Sequence, residues 1–222
     1  AHFENGIACA MAMGCSTNAI VHLIAMSRRA GHPVGLDDFD AFSRRVPVIA
    51  NIRPSGDRYL MEDFFYAGGL PGLLEQIRNR LHVDTLTVTG ETLGDNIKGA
   101  EIYNDDVIRN VQNPIYAEGA LAVLKGNLAP DGCVIKPSAC APKFLKHTGP
   151  ALVFDDYPSM KAAIDRDDLD VTADDVIVER VSAVPVPRPV VVASSDGELR
   201  DRLRPAGANV IGSAQLLTVL RR

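Results

Sequence analysis

The residues able to do chemistry fall in a few short strings. Four cysteines, Cys9, Cys15, Cys133 and Cys140, form two distant pairs, and neither pair has the tight spacing of a zinc site or a redox dithiol. Packed or incidental thiols are the expectation. Ser16, Thr17 and Asn18 open a helical pattern, where exposed N–H groups favour an anionic carboxylate; plain N-capping is the alternative. Glu62 and Asp63 sit at another helix start, where they can face a metal ion or a neighbouring loop, or act only as partners of the helix dipole. His22, five residues into an apolar helix, is expected in the core. Lys136, beside Pro137-Ser138, is expected at a surface or interface, with approach to an active-site cleft as the alternative. No phosphate-cradling Gly-rich loop, no His-x-x-x-His pair and no Gly-x-Ser-x-Gly elbow occurs.

Composition narrows the classes these residues can serve. The chain has 222 residues, 46% of them hydrophobic and 23% charged, enough for one large domain or two small ones without disulfide staples. A net charge of -5 argues against a nucleic-acid groove spread over the whole surface, so small-molecule chemistry is favoured. The longest mostly apolar stretch, Ala19 to Met26, is far shorter than the roughly 20 residues of a membrane span. A soluble cytoplasmic protein is expected. The first residue is Ala1 and no basic leader precedes the apolar start, so the chain reads as a fragment.

The elements that must position these strings can be read from period and punctuation. Residues 4–30 are helical in period with a break at Gly14, after which Ser16 or Thr17 can cap a second helix that Gly31 and Pro33 stop. Leu36-Asp37-Asp38 starts a helix reaching Arg45, and residues 46–52 read as a strand or extended segment before a turn at Arg53-Pro54-Ser55-Gly56. A helix through Met61, Phe64 and Phe65 ends at Gly68-Gly69, and Pro71 sits in the first turn of another, extending to about Leu81. Residues 83–89 are β-rich, and residues 90–97 contain a short helix. Beyond about residue 118 the texture turns to short strands at 120–124, 133–136, 152–154 and 176–178, with a helix opened by Pro158. Residues 184–189 form a Pro-rich linker, and residues 190–222 a β-α-β-α tail that is rich in arginine.

Six longer strings, taken in order, carry a family resemblance. Gly14-Cys15-Ser16-Thr17-Asn18, Arg53-Pro54-Ser55-Gly56, Met61-Glu62-Asp63, Ala67-Gly68-Gly69-Leu70-Pro71, Leu86-Thr87-Val88-Thr89-Gly90 and Gly126-Asn127-Leu128-Ala129-Pro130-Asp131-Gly132 resemble signatures of the dihydroxy-acid and phosphogluconate dehydratases. Its dihydroxy-acid and sugar-acid branches are the most similar. The family usually has Gly-Gly before Ser-Thr-Asn, so Cys15 is a departure. The resemblance implies an α/β fold. Residues 1–118 would be the C-terminal part of the dehydratase α/β domain, and residues 119–183 the start of an incomplete, swivelling β-barrel-like domain.

The resemblance further implies a hydro-lyase, within branched-chain amino acid biosynthesis or sugar-acid metabolism, that turns a 2,3-dihydroxy acid or aldonate into a 2-keto acid. An iron-sulfur cluster would act as Lewis acid and Mg2+ would hold the carboxylate end. The family's cluster cysteines and most magnesium ligands lie upstream of the matched stretch, and its serine base lies downstream. No catalytic residue is therefore expected in this chain. Ser16, Thr17 and Asn18 would line the substrate pocket, Glu62 and Asp63 would at most be metal-proximal, and the isolated chain would be inactive. A small hydroxy acid is the implied ligand and a homo-oligomer the implied assembly, with no membrane partner.

The tail carries a second, shorter resemblance. Val190-Val191-Val192-Ala193-Ser194-Ser195-Asp196, Leu199-Arg200-Asp201 and residues 207–212 are similar to the end of PIN-like ribonuclease domains, in which Asp196 would help hold a divalent ion. A single carboxylate is also a plain helix-start acid. The alternative reading is thus a non-catalytic hybrid or binding protein, with nucleic acid as a partner only through the tail. A degenerate paralogue retained for oligomerisation is a third reading.

Overall fold

The structure is a computed structural model that describes residues 1–181, apart from positions 54, 127, 128 and 167, together with residues 190–191. Its contacts divide between Ala122 and Val123 into two compact units. The first unit carries helices α1 (His2–Met13), α2 (Thr17–Arg29), α3 (Leu36–Arg45), α4 (Met61–Tyr66), α5 (Gly69–Gln76) and α6 (Leu93–Ile97). The second carries β2 (Cys133–Ile135), β3 (Ala151–Phe154), α7 (Tyr157–Ile164), β4 (Val176–Val181) and β5 (Val190–Val191), with β1 (Ala122–Leu124) at the junction.

The core of the first unit gathers around α1, whose Ile7, Ala8, Met11 and Ala12 are fully buried. Phe39 and Phe42 of α3, Leu73 of α5 and the run Val46, Val48, Ile49, Ala50 close over them. That run is extended, yet it pairs only through isolated bridges, Val48 with Tyr116 and Ala50 with Ile108. Its N–H groups go elsewhere: Ile49 and Ala50 both donate to the Ala12 carbonyl, one of the orphans at the end of α1. The extended segment therefore serves as the C-terminal seal of the central helix.

Each helix stops where its residues demand. Gly14 has φ +65°, its N–H reaches the Met11 carbonyl, and the Cys15 N–H reaches Ala10, the paired bonds of a Schellman motif. At α3 and α4 the third residue supplies the cap: Asp38 accepts the Gly35 N–H at 2.8 Å and Asp63 accepts the Leu60 N–H at 2.7 Å. The helix that was to reach Leu81 ends at Gln76, and only one 3-10 turn, Arg78–Arg80, follows.

In the second unit β3, α7 and β4 form a parallel β-α-β step, with Ala151 opposite Val176. Met160 and Ile164 of α7 pack on Phe154, Leu169, Val171 and Ile177. Asp156 caps α7 by accepting the Ser159 N–H at 2.8 Å. β1 and β2 make a separate two-stranded sheet, and β5 adds antiparallel to β4. The first two residues of the expected tail thus join this sheet. The rest of the tail, Asp196 included, and the linker lie outside the described residues.

Three expectations are corrected. Residues 83–89 are turns, with one bridge between Leu86 and Thr92. The reason is local: the hydroxyls of Thr87 and Thr89 bond each other and Asn96, holding the loop closed on itself and off a neighbouring strand. His22 is exposed, since α2 buries only Ile20 and Ser27 and turns Val21, His22 and Met26 outward. Lys136, expected at a surface or interface with approach to a cleft as the alternative, is 9% exposed, which corrects the surface part of that expectation. It sits directly after the inward-facing Ile135 at the end of β2.

Candidate functional site

The strings singled out at residues 14–18 and 53–56 meet in space. A methyl group on Gly14 would lie 2.8 Å from the Ser55 Cβ and 3.3 Å from Val48 Cγ1, so only glycine fits between α1 and the turn after the extended segment. The Ser55 hydroxyl donates to the Gly14 carbonyl. Gly56 is equally confined, with the Asn51 backbone and side chain where its Cβ would stand. The turn is thereby clamped against the loop that opens α2. Arg53, exposed, donates from Nε to the Asp57 carbonyl at 3.1 Å.

At the head of α2 the Ser16 hydroxyl accepts the Asn18 N–H at 3.2 Å, and the Ala19 N–H returns to the Ser16 carbonyl. Ser16 and Asn18 are exposed and Thr17 is half-buried. The first turn of α2 contains no acid, whereas α3 carries Asp37 and Asp38 there and α4 carries Glu62 and Asp63. The positive end of the α2 dipole is therefore left without a carboxylate of its own helix, the condition under which a helix start receives an anion. Ser16, Thr17 and Asn18 form the capped first turn at the head of α2. Ser55, read from the sequence only as part of a turn, joins them, and the signal that could have found it is the glycine at position 14.

Glu62 and Asp63 are exposed, and Asp63 is engaged in capping α4. Among the described residues no group of three or more His, Cys, Asp and Glu side chains stands where it could hold a metal ion. None of the four cysteines is in a disulfide. Burial, reinforced by the charge of Cys15, pushes the Cys9 thiol up to about 11. Burial also raises Cys133 to about 11, and its Sγ donates to the Leu124 carbonyl at 3.0 Å. An iron-sulfur cluster and a magnesium ion, as the resemblance implies, thus find no fitting ligand set among these side chains. No helix among the described residues is long and apolar enough to cross a membrane. An open groove of about 660 Å3 runs along Glu75, Arg78, Asn79 and Gln112 of the first unit, and its lining does not include Ser16–Asn18.

Comparison with known proteins places the strings in context. Residues 1–96 match the family described as dihydroxy-acid/6-phosphogluconate dehydratase N-terminal, and residues 106–185 match its C-terminal counterpart. An L-arabinonate dehydratase of Rhizobium leguminosarum is 47% identical over 79% of this chain and 31% of its own length. A 6-deoxy-6-sulfo-D-gluconate dehydratase of Pseudomonas putida is 44% identical over 93% of this chain and 36% of its own. A dihydroxy-acid dehydratase of Acetivibrio thermocellus is 43% identical over 73% of this chain and 29% of its own. The chain spans about a third of the length of the curated relatives it matches. A match covering 93% of the chain cannot stop at Pro189, so the similarity to the Pseudomonas protein runs into the tail.

Proposed function

The chain belongs to the dihydroxy-acid/6-phosphogluconate dehydratase family, and from that premise we propose that it supplies scaffold and pocket wall to a hydro-lyase converting a 2,3-dihydroxy acid or aldonate to a 2-keto acid. The observation that carries the reading is the meeting of two family strings, residues 14–18 and 55–56, at a helix start free of its own carboxylate. The substrates named for the relatives, L-arabinonate, 6-deoxy-6-sulfo-D-gluconate and dihydroxy acids, share a carboxylate beside hydroxylated carbon. The first N–H groups of α2 and the Ser16 hydroxyl suit that anion.

Water elimination also needs a Lewis acid on the departing hydroxide and a base for the proton next to the carboxylate. In this reading the chain's share is orientation of the acid and exclusion of water. The surface of the first unit supports a place within a larger protein. Phe65 and Tyr66 of α4 are 73% and 68% exposed with their rings in edge contact, and Leu60, Met61 and Leu70 beside them are also exposed. Contiguous apolar faces of this kind are ordinarily covered by further chain or a second copy, and a homo-oligomer is the assembly we favour.

The experiment is direct. The purified 222-residue chain, before and after anaerobic reconstitution with iron, sulfide and magnesium, is given L-arabinonate, gluconate or a 2,3-dihydroxy acid and assayed for 2-keto acid. No turnover is expected, while millimolar aldonate shifts the amide resonances of Thr17 and Asn18. Turnover by the chain alone would overturn the reading, and aldonate-insensitive amides would remove α2 from the pocket wall.

A further inference from the structure

We propose that the groove beside the end of α5 is a binding site for a neutral saccharide, with Gln76 at its centre. Two depressions of the first unit share that residue. One, of about 660 Å3, runs along the end of α5 and the Arg78–Arg80 turn to Gln112. The other, of about 320 Å3, holds Gln76 together with Tyr103, Asp105 and Asn110. Both volumes lie in the range of roughly 300–1,000 Å3 that small-molecule sites occupy.

The walls are set by close approach of the backbone. A methyl group on Gly72 would stand 2.8 Å from Ile102 Cδ1 and 3.0 Å from the Glu101 carbonyl oxygen, so glycine lets the segment that carries Tyr103 lie against α5. The Tyr103 N–H then bonds the Ala67 carbonyl at 2.9 Å, and the residue stays 73% exposed. Gly94 has the same role on the other side, where its Cβ would meet Arg78 Nη2 at 3.0 Å and the Val83 carbonyl oxygen at 3.1 Å. Arg78 donates to Glu75 at 3.0 Å and to the Gly94 carbonyl at 3.2 Å, so its guanidinium is fixed before a ligand arrives. The carboxamides of Asn79 and Asn110 are oriented through Oδ1, which accepts from Arg80 in the first and from the Gln112 and Asn113 N–H groups in the second.

The lining selects the ligand. Apart from Tyr103, every polar side chain in the two depressions is a planar fork, a carboxylate, a carboxamide or a guanidinium. Two atoms of such a fork meet two neighbouring hydroxyls at once, as a sugar ring presents them. The rest of the lining is apolar, with Leu81, Val83 and Val111 in the larger depression and Ile102 and Ile108 beside Tyr103 in the smaller, and it suits the C–H faces of the same ring. Glu75 is answered by Arg78 while Asp105 adds one negative charge, so a neutral sugar is favoured over an aldonate. A peptide docking in extended form would use an open strand edge, whereas these walls come from α5, the 3-10 turn and loops. The residues at the head of α2 line neither depression, so the site is independent of the dehydration reading.

The test follows the side-chain NH2 resonances of Gln76, Asn110 and Gln112 in the isotope-labelled 222-residue protein during titration with maltose, cellobiose and sucrose, and separately with gluconate. At least one disaccharide is expected to shift these signals saturably at millimolar concentration while the Thr17 and Asn18 amides stay still, and gluconate is expected to leave the groove signals unmoved. Gln76→Ala and Gln112→Ala should each weaken disaccharide binding roughly 2- to 10-fold, the loss of one net hydrogen bond. Tyr103→Ala should weaken it as well, and because Tyr103 is exposed this variant stays informative if Gln76→Ala disturbs the end of α5. Shifts that do not saturate with any sugar, affinity unchanged in all three variants, or a response to tri-alanine and to no sugar would each overturn the site. Disaccharide binding together with gluconate-insensitive Thr17 and Asn18 amides would uphold it while removing α2 from the pocket wall.

Discussion

Replacing Gly14 with alanine is the sharpest test of how the two strings are held together. Two costs add. Alanine at φ +65° pays the left-handed penalty of roughly 1–2 kcal/mol. Its methyl also falls 2.8 Å from the Ser55 Cβ and 3.3 Å from Val48 Cγ1, an overlap of the kind that costs about 1–3 kcal/mol in a packed interior. The sum is about 3 kcal/mol, or a fall in Tm of roughly 6–12 °C for a chain of this size, read by circular dichroism on the helical first unit. The cycle with Ser55→Gly separates the terms. Removing the Ser55 side chain relieves the overlap but leaves the backbone strain, so the double variant should be more stable than the sum of the singles by about 1–2 kcal/mol. A Gly14→Ala cost under ~0.5 kcal/mol, or strict additivity with Ser55→Gly, would refute the claim that these strings are in direct contact.

Further outcomes follow from the same geometry. Ser16→Ala removes the hydroxyl that accepts the Asn18 N–H and should cost about 1 kcal/mol in urea unfolding, with Ser16→Asp close to neutral for stability. Glu62→Gln should stay within ~0.5 kcal/mol of the parent, while Asp63→Ala loses the bond to the Leu60 N–H and should cost roughly 0.3–1.5 kcal/mol; parity between them would argue against the cap. The hydrogen bonds from Ser159 hold the Asp156 carboxyl below the usual carboxylate range, so its support of α7 is present above the ordinary value and fades as pH falls through the depressed one; Asp156→Asn should flatten that acid limb in amide-exchange measurements on α7. Because burial lifts Cys9 and Cys133 to about 11, alkylation of both thiols by iodoacetamide should be slow at pH 7 and still accelerating at pH 10, and a plateau near pH 8 would contradict the burial.

What the sequence disclosed depended on whether the deciding force was local. Gly14, the acid pairs after Gly35 and Leu60, and Pro158 act within one turn of the chain, and the stop of α1 and the starts of α3, α4 and α7 stand at or beside those residues. The 83–89 stretch misled because threonine has the same β-branched profile whether it faces a neighbouring strand or satisfies its own loop, and here the hydroxyls choose Asn96. His22 misled for a different reason: an apolar run predicts that one face is covered but not how wide the cover is, and α2 is covered only around Ile20 and Ser27. The burial of Lys136 and the seating of Ser55 on Gly14 depend on partners distant in the chain, which periodicity does not carry.

The same distinction separates the two candidate strings. Both the residues 16–18 string and the Glu62-Asp63 string stand at helix starts, and motif reading alone treats them as equals. Electrostatics does not. A helix start offers about half a positive charge and a few unpaired N–H groups, and this capacity can be spent once. At α4 it is spent internally, since Asp63 takes the Leu60 N–H and Glu62 stands beside it. At α2 the Ser16 hydroxyl meets the Asn18 N–H while the helix's own first turn carries no acid, so an added anion meets there no repulsion of the kind Glu62 and Asp63 supply at α4. The proposed function accordingly seats a carboxylate-bearing substrate at the head of α2 and away from that of α4, with Ser16, Thr17 and Asn18 as pocket wall and Glu62 and Asp63 as scaffold.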